Sequence, residues 1–196
     1  MNPLYHVFTD ASFVKPTKGQ EPIYGIGVVV LNHRGAIEKI ISTPLRSMEF
    51  LRTDHPTTHE FHAACIGLKS VPTGSEVCMY VDNISVRKAI LGRYYPKGDA
   101  KYYSEFQYAV HQINEARSRH AAVDARYIHQ EMAQIIKEAS AIAHNASALV
   151  TGARKRQYTG ELLKNGLFSS SFNGAINKPS KANIVGKRKK NRLVGA

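Results

Sequence analysis

The run Gly25-Ile26-Gly27-Val28-Val29-Val30-Leu31 is apolar at every position, so a strand built from it has no side to give to water. Successive side chains of a strand point to opposite faces of its sheet, and here both faces need cover. A layered α/β arrangement meets that demand. The rest of the chain supplies the pieces. Residues 4–11 read as a first strand, and Asn32-His33-Arg34-Gly35 as a turn leading to a third strand at 36–41. After a polar stretch holding Pro44 and Pro56, residues 58–70 carry Phe61, Ala64, Cys65 and Leu68 at helical spacing, and Pro72-Thr73-Gly74 stops that helix. A fourth strand at 76–82 precedes a short helix with Val86, Ala89 and Ile90 on one side, closed by Gly92. A longer helix over 102–119, a fifth strand at 123–129 and a last helix over 132–149 complete the order. The sequence contains no internal repeat.

Charge divides the chain in two. The net charge is +12, but residues 151–196 hold 11 Lys/Arg against the single acid Glu161, a balance of +10 that leaves +2 for residues 1–150. Arg154-Lys155-Arg156 and Lys187-Arg188-Lys189-Lys190 are separated by serine, glycine, asparagine and proline, which suits a flexible basic tail better than a packed domain. The expected organisation is one domain over 1–150 and that tail over 151–196. Such a tail binds phosphates by counterion release, whatever their sequence. The N-terminus lacks a signal peptide's basic flank and apolar core, and no window approaches 18 apolar residues. No membrane association is expected, and Cys65 and Cys78 read as small core residues of a cytoplasmic, reducing setting.

Three acids stand out against this background. Asp10 interrupts the strand Tyr5-His6-Val7-Phe8-Thr9, Glu60 lies in the first helix, and Asp82 ends the strand Val77-Cys78-Met79-Tyr80-Val81. An ionised carboxylate inside a sheet costs several kcal/mol, on the order of an unpaired polar group or more, unless a cation or hydrogen bonds offset it. Each acid has a structural explanation when taken singly. Asp82 reads as the N-cap of the next helix, and Glu60 as an acid favoured by a helix dipole. Together, on three separate elements, they make the oxygen-ligand set of a magnesium site. His59 and His62 flank Glu60, but their spacing departs from His-Glu-x-x-His and no third ligand is evident, so zinc is not expected.

Four passages then carry a resemblance: Phe8-Thr9-Asp10-Ala11-Ser12, Thr58-His59-Glu60-Phe61-His62-Ala63-Ala64, Tyr80-Val81-Asp82-Asn83-Ile84-Ser85-Val86 and Ala125-Arg126-Tyr127-Ile128-His129. In this order, with these elements between them, residues 4–150 resemble the ribonuclease H family, type 1. The resemblance implies a ribonuclease H-like five-stranded mixed sheet with its first three strands antiparallel, flanked by helices. It also implies hydrolysis of the RNA strand of RNA·DNA hybrids with Mg2+, for which Mn2+ substitutes, by an enzyme expected to be a monomer. Asp10 would bridge two ions, Glu60 and Asp82 would add oxygen ligands, and His129 would correspond to the family's mobile proton-handling histidine.

The chain departs from the family pattern in its last helix. In Glu138-Ala139-Ser140-Ala141-Ile142-Ala143, Ser140 stands where the family has its fourth acid. Glu138 lies about 200° around the helix from Ser140 and would point away, whereas Lys137 and His144, at i−3 and i+4, share its side. Three outcomes follow: a weakly held second ion and a slow enzyme, substitution by Glu131 or His144, or a domain that binds hybrids without cutting them. Thr57 and Thr58 occupy the neighbourhood of the family's paired asparagines that read the 2′-hydroxyl, and Ser12 is a candidate phosphate or sugar contact. Arg93, Lys97 and Lys101 interleave with Tyr94, Tyr95, Tyr102 and Tyr103, a mixture that suits a nucleic-acid backbone. Two other classes compete with the endonuclease. One is a different nuclease on this fold, although exonucleases carry a Glu where Ser12 stands. The other is a hybrid-binding protein that has lost catalysis.

Overall fold

Five strands form one sheet: β1 (Leu4–Val14), β2 (Ile23–Leu31), β3 (Ile37–Leu45), β4 (Glu76–Val81) and β5 (Ala122–Tyr127). Their spatial order is β3-β2-β1-β4-β5. β1, β2 and β3 pair antiparallel in turn, while β4 runs parallel to β1 and β5 parallel to β4. Four helices flank the sheet: α1 (Pro56–Lys69), α2 (Ile84–Ile90), α3 (Tyr103–Arg117) and α4 (Gln134–Thr151). The computed structural model describes residues 2–14, 22–45, 56–97, 102–131, 133–153 and 156. The basic tail expected over 151–196 therefore lies outside the described residues, apart from 151–153 and Arg156.

The apolar run in β2 is covered on both sides, as its composition requires. Val28 and Val30 join Val7, Phe61, Ala64, Leu68 and Ile113 in a core beneath α1 and α3. Val29 and Leu31 face the other way and pack with Phe8, Ile136, Ala139 and Ala143 beneath α4. The result is three layers, with α4 alone against its side of the sheet among the described helices. Cys65 and Cys78 are both buried in these cores.

Two boundaries differ from the sequence reading for identifiable reasons. β3 continues through Pro44 to Leu45, because it is the edge strand and a residue there has a side with no ladder bond to lose. α1 begins at Pro56, where a missing backbone N–H costs nothing, since the first helical N–H groups have no intrahelical acceptor. The turn between β2 and β3 forms as read: the Asn32 carbonyl accepts the Gly35 N–H at 2.8 Å, and Gly35 adopts φ 77°, which its missing Cβ permits.

Beside Tyr80, His6 is 1% exposed, with ring centroids 6.0 Å apart. Burial first, and the nearby Arg126 charge second, push its pKa down to about 4. The unfolded chain holds a proton on this ring below about 6.5 while the folded chain refuses it until about 4, so His6 withdraws stability as pH falls through that window. His62, also lowered to about 4 by burial, adds to the same trend. Urea unfolding at pH 7.5 and pH 5 is expected to show wild type losing about 2 kcal/mol more than His6→Phe over that interval. Equal pH slopes for the two proteins would rule out His6 as the source.

Candidate metal centre

The register of β1 against β4 brings two of the acids together. Phe8 pairs with Tyr80, and their rings stack at 4.4 Å with planes 6° apart. Two residues further along each parallel strand, on the same side, come Asp10 and Asp82. β4 has ended by then, at Val81, so Asp82 stands at the mouth of the sheet. Glu60 arrives from α1, with its Oε1 accepting the Ala11 backbone N–H at 3.3 Å. The ligand oxygens of Asp10, Glu60 and Asp82 all lie within 4.8 Å of one another.

The structural explanations for these acids fail on inspection of their neighbours. Asn83, not Asp82, caps α2: its Oδ1 accepts Ser85 N–H at 2.9 Å and Val86 N–H at 3.3 Å. Glu60 is the fifth residue of α1, beyond the first turn where the helix dipole acts, and that turn carries no acid. Among the described residues no lysine or arginine forms an ion pair with any of the three.

Electrostatics confirm that the cluster is under-compensated. Burial, then the Asp82 charge and then the Asp10 charge, hold the Glu60 carboxyl well above the usual carboxylate range, against an opposing pull from the Ala11 N–H and Arg156. Burial and Asp10 raise Asp82, while Arg156 and His129 pull it down. A donor set of three mutually repelling carboxylates is the chemistry that a hard divalent cation satisfies. The three residues fit one.

α4 completes the surroundings of Asp10. His144 Nδ1 lies 3.1 Å from Asp10 Oδ2, and the Ser147 hydroxyl donates to the same oxygen at 2.7 Å. That hydroxyl is also 2.8 Å from the His144 carbonyl, so its one proton serves either acceptor. Asp10 Oδ1 has no hydrogen-bond partner among the described residues. Ser140, His144, Ser147 and Thr151 fall at i, i+4, i+7 and i+11, a polar stripe along one side of α4. Ser140, the position expected to answer to the fourth family acid, is buried one turn before His144 and makes no hydrogen bond to Asp10. Of the two substitutes considered in its place, Glu131 stands near Arg126 and Arg87 and outside the three-carboxylate group, and His144 is the one that reaches the site. Sequence reasoning missed Ser147 and Thr151; the signal was there, in polar residues at heptad-like spacing along one side of the helix.

Other candidate residues divide by exposure. His129 is exposed on a 3-10 turn, Ile128–Gln130, directly after β5, and its charge is felt at Asp82. Ser12 is buried at 7% exposure, with its hydroxyl 2.8 Å from Thr151 Oγ1, which fastens β1 to the end of α4 rather than leaving it for a ligand. Thr58 is fully buried and so presents nothing to a nucleic acid, while half-buried Thr57 lies 3.5 Å from Asn83 Nδ2. Arg93 and Lys97 are exposed and line a groove of about 430 Å³ with Lys88, Tyr94, Tyr95 and Phe106. Lys101 lies outside the described residues. Arg156 is held by its backbone: Asn145 donates to its carbonyl at 2.9 Å and accepts its N–H at 2.7 Å.

No family model and no curated protein matches this chain in sequence. Solved structures do match in shape. The N-terminal RNase H domain of a Mycobacterium tuberculosis protein aligns at 14% identity and TM-score 0.52, covering 77% of this chain and 98% of that one. RNase H1 from the halophilic archaeon Halobacterium salinarum gives 14% identity and TM-score 0.52, over 73% of this chain and 96% of the other. The RNase H domain of prototype foamy virus gives 16% identity and TM-score 0.54, over 78% and 96%. The strand order, the antiparallel first three strands and these matches define the class: the chain has the ribonuclease H fold.

Proposed function

We propose that the protein is a metal-dependent endonuclease that hydrolyses the RNA strand of RNA·DNA hybrids, with Mg2+ as its cofactor and Mn2+ as a substitute. The observation that carries this reading is the convergence of Asp10, Glu60 and Asp82 within 4.8 Å, without a basic partner among the described residues, on a ribonuclease H fold. Divalent ions bound there would supply an activated water and stabilise the leaving oxygen of the cut phosphodiester.

The chain's own residues prepare the site for that chemistry. The Ala11 N–H fixes Glu60, and the Asn83 cap sets the backbone direction at the end of β4, so Asp82 is aimed by two rigid elements. His129, exposed and with its charge felt at Asp82, is positioned to pass protons between the site and bulk water. Arg156 adds positive charge at the rim of an acidic site that has to receive a polyanion. Arg93 and Lys97 offer a second contact to phosphates, and the tail's +10 raises affinity without adding sequence preference. With Thr58 buried, Thr57 is the hydroxyl of the pair left to meet a 2′-hydroxyl.

The decisive experiment is a cleavage assay on a labelled RNA·DNA hybrid, with double-stranded DNA and double-stranded RNA beside it, in magnesium and in manganese. Folded protein that leaves the hybrid intact in both metals overturns the proposal. Cutting of all three duplexes alike would keep the nuclease and remove the hybrid specificity.

A further inference from the structure

Asp10 has two oxygens and two kinds of neighbour. Toward α1 and β4 stand Glu60 and Asp82; toward α4, its Oδ2 meets an imidazole nitrogen at 3.1 Å. Metal–ligand bonds of about 2.0–2.2 Å set neighbouring donor atoms of an octahedral shell about 3 Å apart, which is the separation found between His144 Nδ1 and Asp10 Oδ2. A pair at that spacing is a hydrogen bond in the free protein and a ready ligand edge when a cation is supplied. His144 lies outside the three-carboxylate group, so an ion using it would be a second one, sharing Asp10 with the first.

We infer that His144 is the protein's own ligand for the second divalent ion, giving an Asp-Glu-Asp-His set in which an imidazole stands where an α4 carboxylate would otherwise serve. This rests on the proposed role of the three carboxylates as a metal site. The packing of α4 supports it. Gly25 and Gly27 let the helix backbone sit directly on β2, which brings the His144 turn, rather than the Ser140 turn, over Asp10. Nitrogen in place of a carboxylate oxygen alters the metal preference. Imidazole suits transition ions, whereas magnesium favours oxygen donors and retains its waters, so the second position is expected to take manganese in preference to magnesium. It also carries one negative charge fewer than an acid there, which weakens its hold on any divalent ion.

The test uses manganese as the probe and the full chain as it stands. Pulsed electron paramagnetic resonance of the manganese-loaded protein is expected to show nitrogen directly bound to the ion. That signal should disappear in His144→Ala and in His144→Asp and persist in Ser147→Ala. Manganese titration should give two sites in wild type, with the weaker one losing about tenfold or more in affinity in His144→Ala. In His144→Asp the weaker site should bind magnesium more tightly than it does in wild type, an effect that a purely hydrogen-bonding histidine would not produce. Manganese that binds, is released by Asp10→Asn, and shows no coordinated nitrogen would overturn the inference and leave the carboxylate site standing. A nitrogen signal that survives in both His144 variants would do the same. Should no manganese bind in an Asp10-dependent way, the metal-site reading itself falls, and His144 as a ligand with it. If His144→Ala does not fold, the wild-type and His144→Asp spectra decide the question.

Discussion

Asp10→Asn is expected to abolish hybrid cleavage in magnesium and in manganese, lowering kcat by about three orders of magnitude or more, while the hybrid still binds. Asp10 is the one acid adjacent to every other group of the site: its charge raises both Glu60 and Asp82, and its Oδ2 meets α4. Asparagine keeps the size and an acceptor for Ser147, so the loss would come from charge and not from collapse. Binding should hold or tighten, because one negative charge leaves a surface that must approach phosphate. A gel-shift assay beside the cleavage assay separates the two effects. Cleavage surviving in the variant would place the chemistry elsewhere.

The same substitution should remove the metal's effect on stability. Glu60 and Asp82 have folded-state pKa values raised above those of the unfolded chain, so the stability they contribute is present at low pH and is lost as pH rises through the raised values. At neutral pH the metal-free wild type carries that penalty. A divalent ion removes it by binding only the folded state, worth about 2.7 kcal/mol at a hundred times its dissociation constant. Asp10→Asn relieves part of the repulsion in advance and removes a ligand. Its metal-free melting temperature should therefore rise above wild type, and added magnesium should leave it nearly unmoved. This carboxylate trend runs opposite to that of His6 and His62, which lose stability as pH falls from about 6.5 toward 4.

The parts of the site that could be read from sequence are those set by local pattern. Asp10 in an apolar strand and Asp82 at a strand end are visible because the strands themselves are, through β-branched and aromatic runs. Even the ambiguity at Asp82 had a local resolution: the next residue, Asn83, is a capping side chain, which frees Asp82 for other work. The position on α4 was harder. Motif counting leads to Ser140, yet α4 starts at Gln134 and its depth on the sheet is fixed by two glycines more than a hundred residues earlier. No local pattern reports which turn of a helix a distant strand will select. Burial of Thr58 and the Ser12–Thr151 bond are likewise products of layer packing, which composition does not encode.

Those glycines give the second large effect. Gly27 is the β2 partner of Asp10, and a Cβ built on it lands on the Ala143 carbonyl oxygen, with Ser147 N at 2.6 Å and the Ala143 carbonyl carbon at 2.9 Å. All three are backbone atoms of α4, which no rotamer change can move aside. Gly27→Ala must therefore lift the helix, and the helix carries the two groups that touch Asp10. Overpacking of this kind costs about 1–3 kcal/mol, and rigid backbone neighbours put this case at the upper end. Gly67→Ala provides the contrast. Its Cβ would meet the side-chain tips of Thr9 at 2.8 Å, Val7 at 3.0 Å and Met79 at 3.2 Å, atoms that can shift, and it belongs to α1, on the side of the sheet away from α4. Denaturant unfolding and manganese titration of both variants are expected to show Gly27→Ala losing stability together with its second metal site, and Gly67→Ala losing stability alone. If Gly27→Ala kept two manganese sites despite its lowered stability, the docking of α4 would not be what brings His144 to Asp10.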